Sequence, residues 1–355
     1  MEQLGIGMVS QFPIDYMHAV LLGVTRKLLI LWKNGDTSKK VSTKFRLSDK
    51  MFEQISTRLV ATRITCPSEF HRKPRSLEEM LNFKATELRT FLCYTGFIGL
   101  KGILSREIYE NFLLLACAMR ILLQDSELSS RRCMHAKQLL RQFVEGFIEI
   151  YGKKHVTYNV HVLIHLADEA ERFGSLDNIS AFPFESHLFV LKKLIKTPNR
   201  QLQQIVHRIL ERRQICQIGP ADAVNPKPQF KKMHCRGPLP ICCLNLSTEQ
   251  YGCVLIAGKR FSISSRDRFV RCGSDVCVID NILKSKNGEA LLVIRKFSEK
   301  KCYFDKPLRS TEFGVCLVSK LKAGHHLCKL KDCQKVWLQK QKQGFVCVEM
   351  MSIEK

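Results

Sequence analysis

Acidic residues are scarce in this 355-residue chain: 33 Asp and Glu stand against 57 Lys and Arg, for a net charge of +24 and a pI near 9.5. That deficit points to a polyanionic partner, because each neutralised phosphate releases condensed counterions. Nucleic acid leads and an anionic membrane surface comes second. Long apolar runs are missing as well. The most apolar segment, Phe112 to Leu123, is interrupted by Arg120 and is too short to span a bilayer, so it is expected to be a buried helix. Met1 to Ser10 has neither the basic start nor the apolar centre of a secretory signal, which predicts a reducing compartment and free thiols. No C-x2-C, no phosphate-binding P-loop, no G-x-G-x-x-G, no G-x-S-x-G and no H-E-x-x-H occurs. Nucleotide-binding, serine-hydrolase and zinc-protease chemistries therefore have little support.

With 45% apolar and 25% charged residues the composition is that of a globular protein, and the length suits two domains. Residues 1–213 read as helical. Met17, Leu21, Val24 and Leu28 recur on one stripe of an opening helix. In "RSLEEM" the pair Ser76 and Glu79 reads as a capping box. "LSREIYENFLLLACAMRILL" starts at a Ser and is apolar nearly all round, as expected at the centre of a helical domain. "KQLLRQFVEGFIEIYG" ends on Gly152, and further helices are expected over 159–173 and 183–195. Residues 214–240 lose all apolar period and read as a Pro-rich linker, with five of the 11 prolines between Cys216 and Pro240. Over 241–355 the period becomes that of strands: "YGCVLIA", "FVRC", "VCVID", "EALLVIRKF", "GVCLVSKL", "KVWLQ" and "FVCVEMM", with "KNGE" as a hairpin turn. A small, Cys-rich, basic β-barrel or sandwich is expected there, and the fold class is α+β.

Twelve of the 16 cysteines lie from Cys216 onward. Cys272-x4-Cys277 and Cys328-x4-Cys333, with His325 and His326 nearby, offer metal-ligand residue types. Their place in or beside strands favours apolar core thiols over a zinc site. Three polar constellations stand out in the helical region. Asp15 and His18 at i and i+3 share a helix face, and alone read as a cap and a packed imidazole. His161 and His165 at i and i+4 share a stripe with Asp168 and Arg172, and without a third ligand read as a polar helix face. Glu185 follows Pro183 in a first helical turn, where an acid complements the helix dipole. It shares a stripe with Phe189, Lys192 and Lys196, while Phe184, Leu188, Leu191 and Ile195 are expected to be buried. A carboxylate at the end of a basic ridge is what a metal-dependent nuclease requires.

Taken in order, three blocks resemble the transposases of the CACTA (En/Spm) type: "VSQFPIDYMHAVLLGVTRKLLILW", "PSEFHRKPRSLEEMLNFKATELRTFLCYTGFIGLKGILSREIYENFLLL" and "YNVHVLIHLADEAERFGSLDNISAFPFESHLFVLKKLIK". The resemblance covers most of residues 1–213 and the β-rich tail only loosely. It implies the helical insertion and the C-terminal part of an RNase H-like core, and an Asp-Asp-Glu triad holding Mg²⁺ or Mn²⁺ for DNA strand cleavage and transfer. Glu185 matches the triad Glu and its metal-binding role. Asp15 and His18 match the D-x-x-H pair, in a supporting role, and His161 and His165 are placed as further supporting residues. Lys192, Lys193 and Lys196 are the DNA-binding candidates. The family places its two Asp upstream of D-x-x-H, and no Asp precedes Asp15 here. The expectation is therefore a truncated transposase-derived protein, catalytically incomplete, nuclear and DNA-binding, with no cofactor assured and self-association left open. The alternative is a domesticated, non-enzymatic DNA- or chromatin-binding protein that uses its β-domain.

Overall fold

The computed structural model describes residues 11–36, 44–124, 128–216, 227–241, 249–341 and 344–351. Met1–Ser10 and the centre of the expected linker, residues 217–226, lie outside them. The architecture is α+β, with helices up to Cys216 and an antiparallel sheet of ten strands after it. Among the described residues no helix is long and apolar enough to cross a membrane.

The helices are α1 (Arg26–Asn34), α2 (Asp49–Ala61), α3 (Ala85–Thr90), α4 (Gly96–Leu100), α5 (Arg106–Leu122), α6 (Ser130–Tyr151), α7 (Tyr158–His161), α8 (Leu166–Phe173), α9 (Phe182–Leu194) and α10 (Gln201–Cys216). A π-helical stretch, Met17–Thr25, runs directly into α1, and the expected stripe of Met17, Leu21, Val24 and Leu28 is buried. Ser105 caps α5 by accepting from Ile108 N at 3.4 Å. Gly152 ends α6 at φ +93°, a conformation open to glycine and strained for other residues.

Local chemistry departs from the sequence expectation in three places. Ser76 does cap, but the turn it starts is 3-10 (Leu77–Asn82), and Glu79 pairs with Arg75 at 2.5 Å instead of closing a capping box. The expected helix over 159–173 is broken by a 3-10 turn, Val162–His165, between α7 and α8. On α9 the apolar stripe is only partly covered among the described residues: Phe184 is 72% and Leu188 56% exposed, Leu191 and Ile195 are half-buried, and Leu194 is the buried residue. Amphipathic spacing defines an apolar face, but burial needs a neighbour. On α10, Leu202, Val206 and Leu210 are exposed as well.

The strands are β1 (Gln229–His234), β2 (Glu249–Ile256), β3 (Lys259–Ser262), β4 (Phe269–Cys272), β5 (Asp275–Lys284), β6 (Ala290–Cys302), β7 (Val315–Leu321), β8 (His326–Lys329), β9 (Cys333–Gln341) and β10 (Gly344–Glu349). All seven expected strand segments are present. The short β3 and β8 were not legible, and β1 lies inside the stretch read as linker, where it pairs with β2. The turn "KNGE" joins β5 to β6, with Gly288 at φ +77° and Ser285 N donating to Glu289 O at 3.0 Å. The pairings run β5-β4-β9-β10-β7-β6, and β6 pairs back to β5, so six strands form a closed circuit.

The helical part and the sheet share one apolar cluster, in which Phe304, Phe313, Val315, Trp337, Val346, Val348 and Met351 pack with the helical core. Two buried cations sit on that seam. Arg120 of α5 is 1% exposed and donates to Phe313 O (2.7 and 3.1 Å), Glu349 O (3.0 Å) and Cys93 O (2.9 Å). Lys335 of β9 donates to Asp267 Oδ1 (2.5 Å), to both oxygens of Glu69 (2.7 and 2.8 Å) and to Arg260 O (2.7 Å). Met351 N donates to Tyr94 OH at 3.2 Å, and Trp337 Nε1 to Thr65 Oγ1 at 3.2 Å.

Candidate functional site

Asp15 precedes the π-helical stretch, where the first backbone amides have no partners within the helix. Its Oδ1 accepts from Met17 N at 3.1 Å and its Oδ2 from His18 N at 3.3 Å. The same Oδ1 accepts from Ala181 N at 2.9 Å, 166 residues away and immediately before α9. One carboxylate thus pins two helix starts together. Because Glu185 lies one turn into α9, with its N–H on Ala181 O at 2.9 Å, the tie sets where Glu185 stands relative to the opening helix.

His18 is held between the two acids. Its Nδ1 bonds to Asp15 Oδ2, and its Nε2 lies 3.5 Å from Glu185 Oε1. A carboxylate on one ring nitrogen fixes the orientation of the imidazole and leaves the other nitrogen to face its partner. Asp15 is 24% exposed, whereas His18 and Glu185 are each 57% exposed, so the site is open to solvent and water screens its charges.

Beneath this open triad lies a buried polar knot. Tyr16 OH donates to Asp177 Oδ1 at 2.6 Å, and Arg89 makes a two-pronged contact with Asp177 at 2.6 and 2.8 Å. Arg89 Nη1 also donates to Tyr16 OH at 2.9 Å. Burial, reinforced by the charge of Asp177 and its bond to the hydroxyl, pushes the Tyr16 phenol far above its ordinary range despite the nearby Arg89. The phenol therefore stays a neutral donor. Tyr16 meets the Phe182 ring edge-on at 6.1 Å, so the knot grips both ends of the 177–182 segment that leads into α9.

The remaining sequence candidates fall elsewhere. His161 and His165 are exposed and adjacent, with ring centroids 5.7 Å apart, and contact one another rather than the triad. Asp168, placed on their stripe, pairs with Lys137 at 2.5 Å. Lys192 and Lys193 are exposed on α9, and Lys193 Nζ stands 4.3 Å over the Phe189 ring. Lys196 lies past the helix, which ends at Leu194, so it is off the stripe that joins Glu185 and Lys192. The knot of Tyr16, Arg89 and Asp177 was missed, because its members are 73, 88 and 161 residues apart and no local period links them. Their nearest signal is that Tyr16 sits within D-x-x-H itself.

The donor set can be weighed against the Mg²⁺ or Mn²⁺ pair that the transposase resemblance implies. Asp15 is committed to three backbone amides and one imidazole, which leaves Glu185 as the one uncommitted carboxylate of the triad. Hard divalent ions take several oxygen ligands, so these residues alone do not fit a two-ion centre. What the triad can do is move or hold a proton at His18 and offer Glu185 to an incoming group.

Residues 233–350 match a family described as a domain of unknown function (DUF8592). The match runs from the end of β1 to the residue after β10, so it covers the sheet and not the helical part that carries the triad. No curated protein and no solved structure matches the chain.

Proposed function

We propose that this is a transposase-derived protein of the CACTA type that binds DNA and, with the residues of this chain alone, does not cut it. The observation that carries the proposal is the meeting of Asp15, His18 and Glu185, drawn from two separate blocks of the resemblance. A cap and a dipole-facing acid on unrelated helices have no reason to meet across an imidazole. On this reading the helical part is the helical insertion and C-terminal part of an RNase H-like core, and the six-strand circuit is a small barrel. Glu185 would supply one ligand to a metal centre only together with acids that this chain does not bring to it, Asp15 and His18 set its position, and Lys192, Lys193 and Lys196 lie against the phosphate backbone. A nuclear location follows from the substrate. Exposed Phe184, Leu188, Leu202 and Val206 on α9 and α10 support self-association.

The test has two arms. Purified protein with supercoiled plasmid and Mg²⁺ or Mn²⁺ is expected to leave the plasmid intact; cleavage abolished by Glu185→Gln would show the chain to be an active nuclease. Duplex DNA is expected to bind with an affinity that falls steeply with salt. The triple variant Lys192→Ala, Lys193→Ala, Lys196→Ala should reduce the log–log salt slope by about 2–3, at roughly 0.9 per phosphate contact. No binding at low salt refutes the DNA role. A second reading places DNA on the sheet, since residues 241–355 carry 21 Lys and Arg against 11 Asp and Glu, a net of 21 − 11 = +10. Undiminished binding by the triple lysine variant favours it.

A further inference from the structure

The sheet gathers thiols that are far apart in sequence. Cys272 ends β4 and is the direct cross-strand partner of Cys333 at the start of β9. Cys328 lies in β8, and the 3-10 turn Leu330–Asp332 brings the chain straight from β8 into β9 beside it. The three Sγ atoms stand 2.8 Å (Cys272–Cys333), 3.4 Å (Cys328–Cys333) and 3.6 Å (Cys272–Cys328) apart. All three side chains are half-buried and reach the same apolar cluster, within reach of solvent.

Cys277 stands beside the set: the other three sulfurs all lie within 4.8 Å of one another, and its own does not join that group. It opposes Val270 in the β4–β5 pairing, and Val270 and Cys272 lie two apart on β4. Cys277 is therefore the diagonal neighbour of Cys272 on one face of the sheet. The sequence pattern is then C-x4-C from the β4–β5 hairpin and C-x4-C from the β8–β9 turn, and the two meet across the β4–β9 pairing.

We infer that Cys272, Cys328 and Cys333 form a structural zinc site, with Cys277 turning in from its diagonal position as the fourth ligand. A tetrahedral thiolate site with Zn–S near 2.3 Å has S–S edges of about 3.8 Å. Two of the three separations lie within about 0.4 Å of that edge, and the Cys272–Cys333 pair opens to it by small side-chain rotations. Thiols so crowded have unfavourable contacts with one another, whereas a soft divalent ion placed among them meets each sulfur as a ligand. Binding releases the thiol protons to solvent and leaves a negatively charged centre, with Lys296 in electrostatic reach of Cys272 and Cys277. The ion would clamp the β8–β9 turn onto the β4–β5 hairpin. All four residues lie within the DUF8592 match.

The test uses the full chain purified under reducing conditions. Elemental analysis is expected to give one zinc per chain, removed by a strong chelator with a fall in Tm that added zinc restores. Cobalt in place of zinc should give sulfur-to-cobalt charge-transfer bands and the intense visible bands of a tetrahedral site. Cys328→Ser and Cys333→Ser should lose the bound zinc, whereas Cys235→Ser, exposed and outside the cluster, should keep it. Cys277→Ser should weaken binding and change the cobalt spectrum; an unchanged spectrum removes Cys277 from the set. Less than about a tenth of a zinc per wild-type chain overturns the proposal. So does a Cys272–Cys333 disulfide that persists in the protein purified under reducing conditions. The wild-type stoichiometry and the cobalt spectrum decide the matter even if a serine variant does not fold.

Discussion

Replacing Arg120 by Met tests whether the helical part and the sheet unfold as one unit. The guanidinium is fully buried and donates to three carbonyls, one on the helical side (Cys93) and two from the sheet part (Phe313 and Glu349). Methionine matches much of its volume and none of its donors. A buried acceptor left without a donor costs about 1–3 kcal/mol, and three are involved here. Not burying a charge offsets part of that, so a net loss of about 3–5 kcal/mol is expected. In equilibrium terms that is about two to three and a half powers of ten. Urea titrations read it best, because the two tryptophans are placed to report separately. Trp32 lies within the helical core, bonded to Tyr151 at 2.9 Å, and Trp337 lies on the seam. In the wild type, Trp337 fluorescence in a Trp32→Phe background and helical circular dichroism should share one midpoint. In Arg120→Met both should move down together. Arg120→Lys should recover only part of the loss, since one ammonium cannot serve carbonyls in three directions. A loss under about 1 kcal/mol, or well-separated wild-type midpoints, would refute the view of Arg120 as the tie between the two parts.

Three further outcomes are expected. Lys335→Met removes the cation that Asp267 and Glu69 share, leaving Asp267 only Arg260 at 3.7 Å, at a cost of about 3–5 kcal/mol in urea unfolding. Adding Glu69→Gln and Asp267→Asn should restore most of it, and a triple variant no more stable than the single one counts against the explanation. Asp15→Ala removes the tie to Ala181 and should cost about 0.5–2 kcal/mol as a lost cap, with faster amide exchange at Ala181. Unchanged exchange there means that the carboxylate does not hold α9 in place. Asp280 is raised by burial, but hydrogen bonds and charge from Arg295 and Arg268 outweigh this and leave its carboxyl below the usual range. A depressed folded-state pKa adds stability that is present above the unfolded value of about 3.9 and lost as pH falls through the folded one. The stability gap between wild type and Asp280→Asn should therefore be full at pH 7 and shrink below about pH 4, as measured by urea midpoints at each pH.

The α+β class, the order of helices then strands and most element positions were legible before any coordinates. They rest on hydrophobic period, caps and turns, which act over a few residues, and so are carried by segments such as "FVRC", "KNGE" and the Ser105 start of α5. Asp15, His18 and Glu185 were legible as residues through the resemblance to a transposase. Their meeting was not, because it depends on one hydrogen bond from Asp15 to an amide 166 residues away. Residue types and spacing left a zinc site open but second to core thiols, and only the pairing of β4 with β9 brought three sulfurs together. Arg120 read as an interruption in an apolar helix and turned out to sit where both parts of the chain present carbonyls to its guanidinium. The face of α9 that spacing marked for burial is open at Phe184 and Leu188 among the described residues, since which apolar stripe is covered depends on where its neighbours end up. Local pattern decides what each segment becomes, while pairing across long separations decides which polar and apolar groups meet, and in this chain the chemistry lies in those meetings.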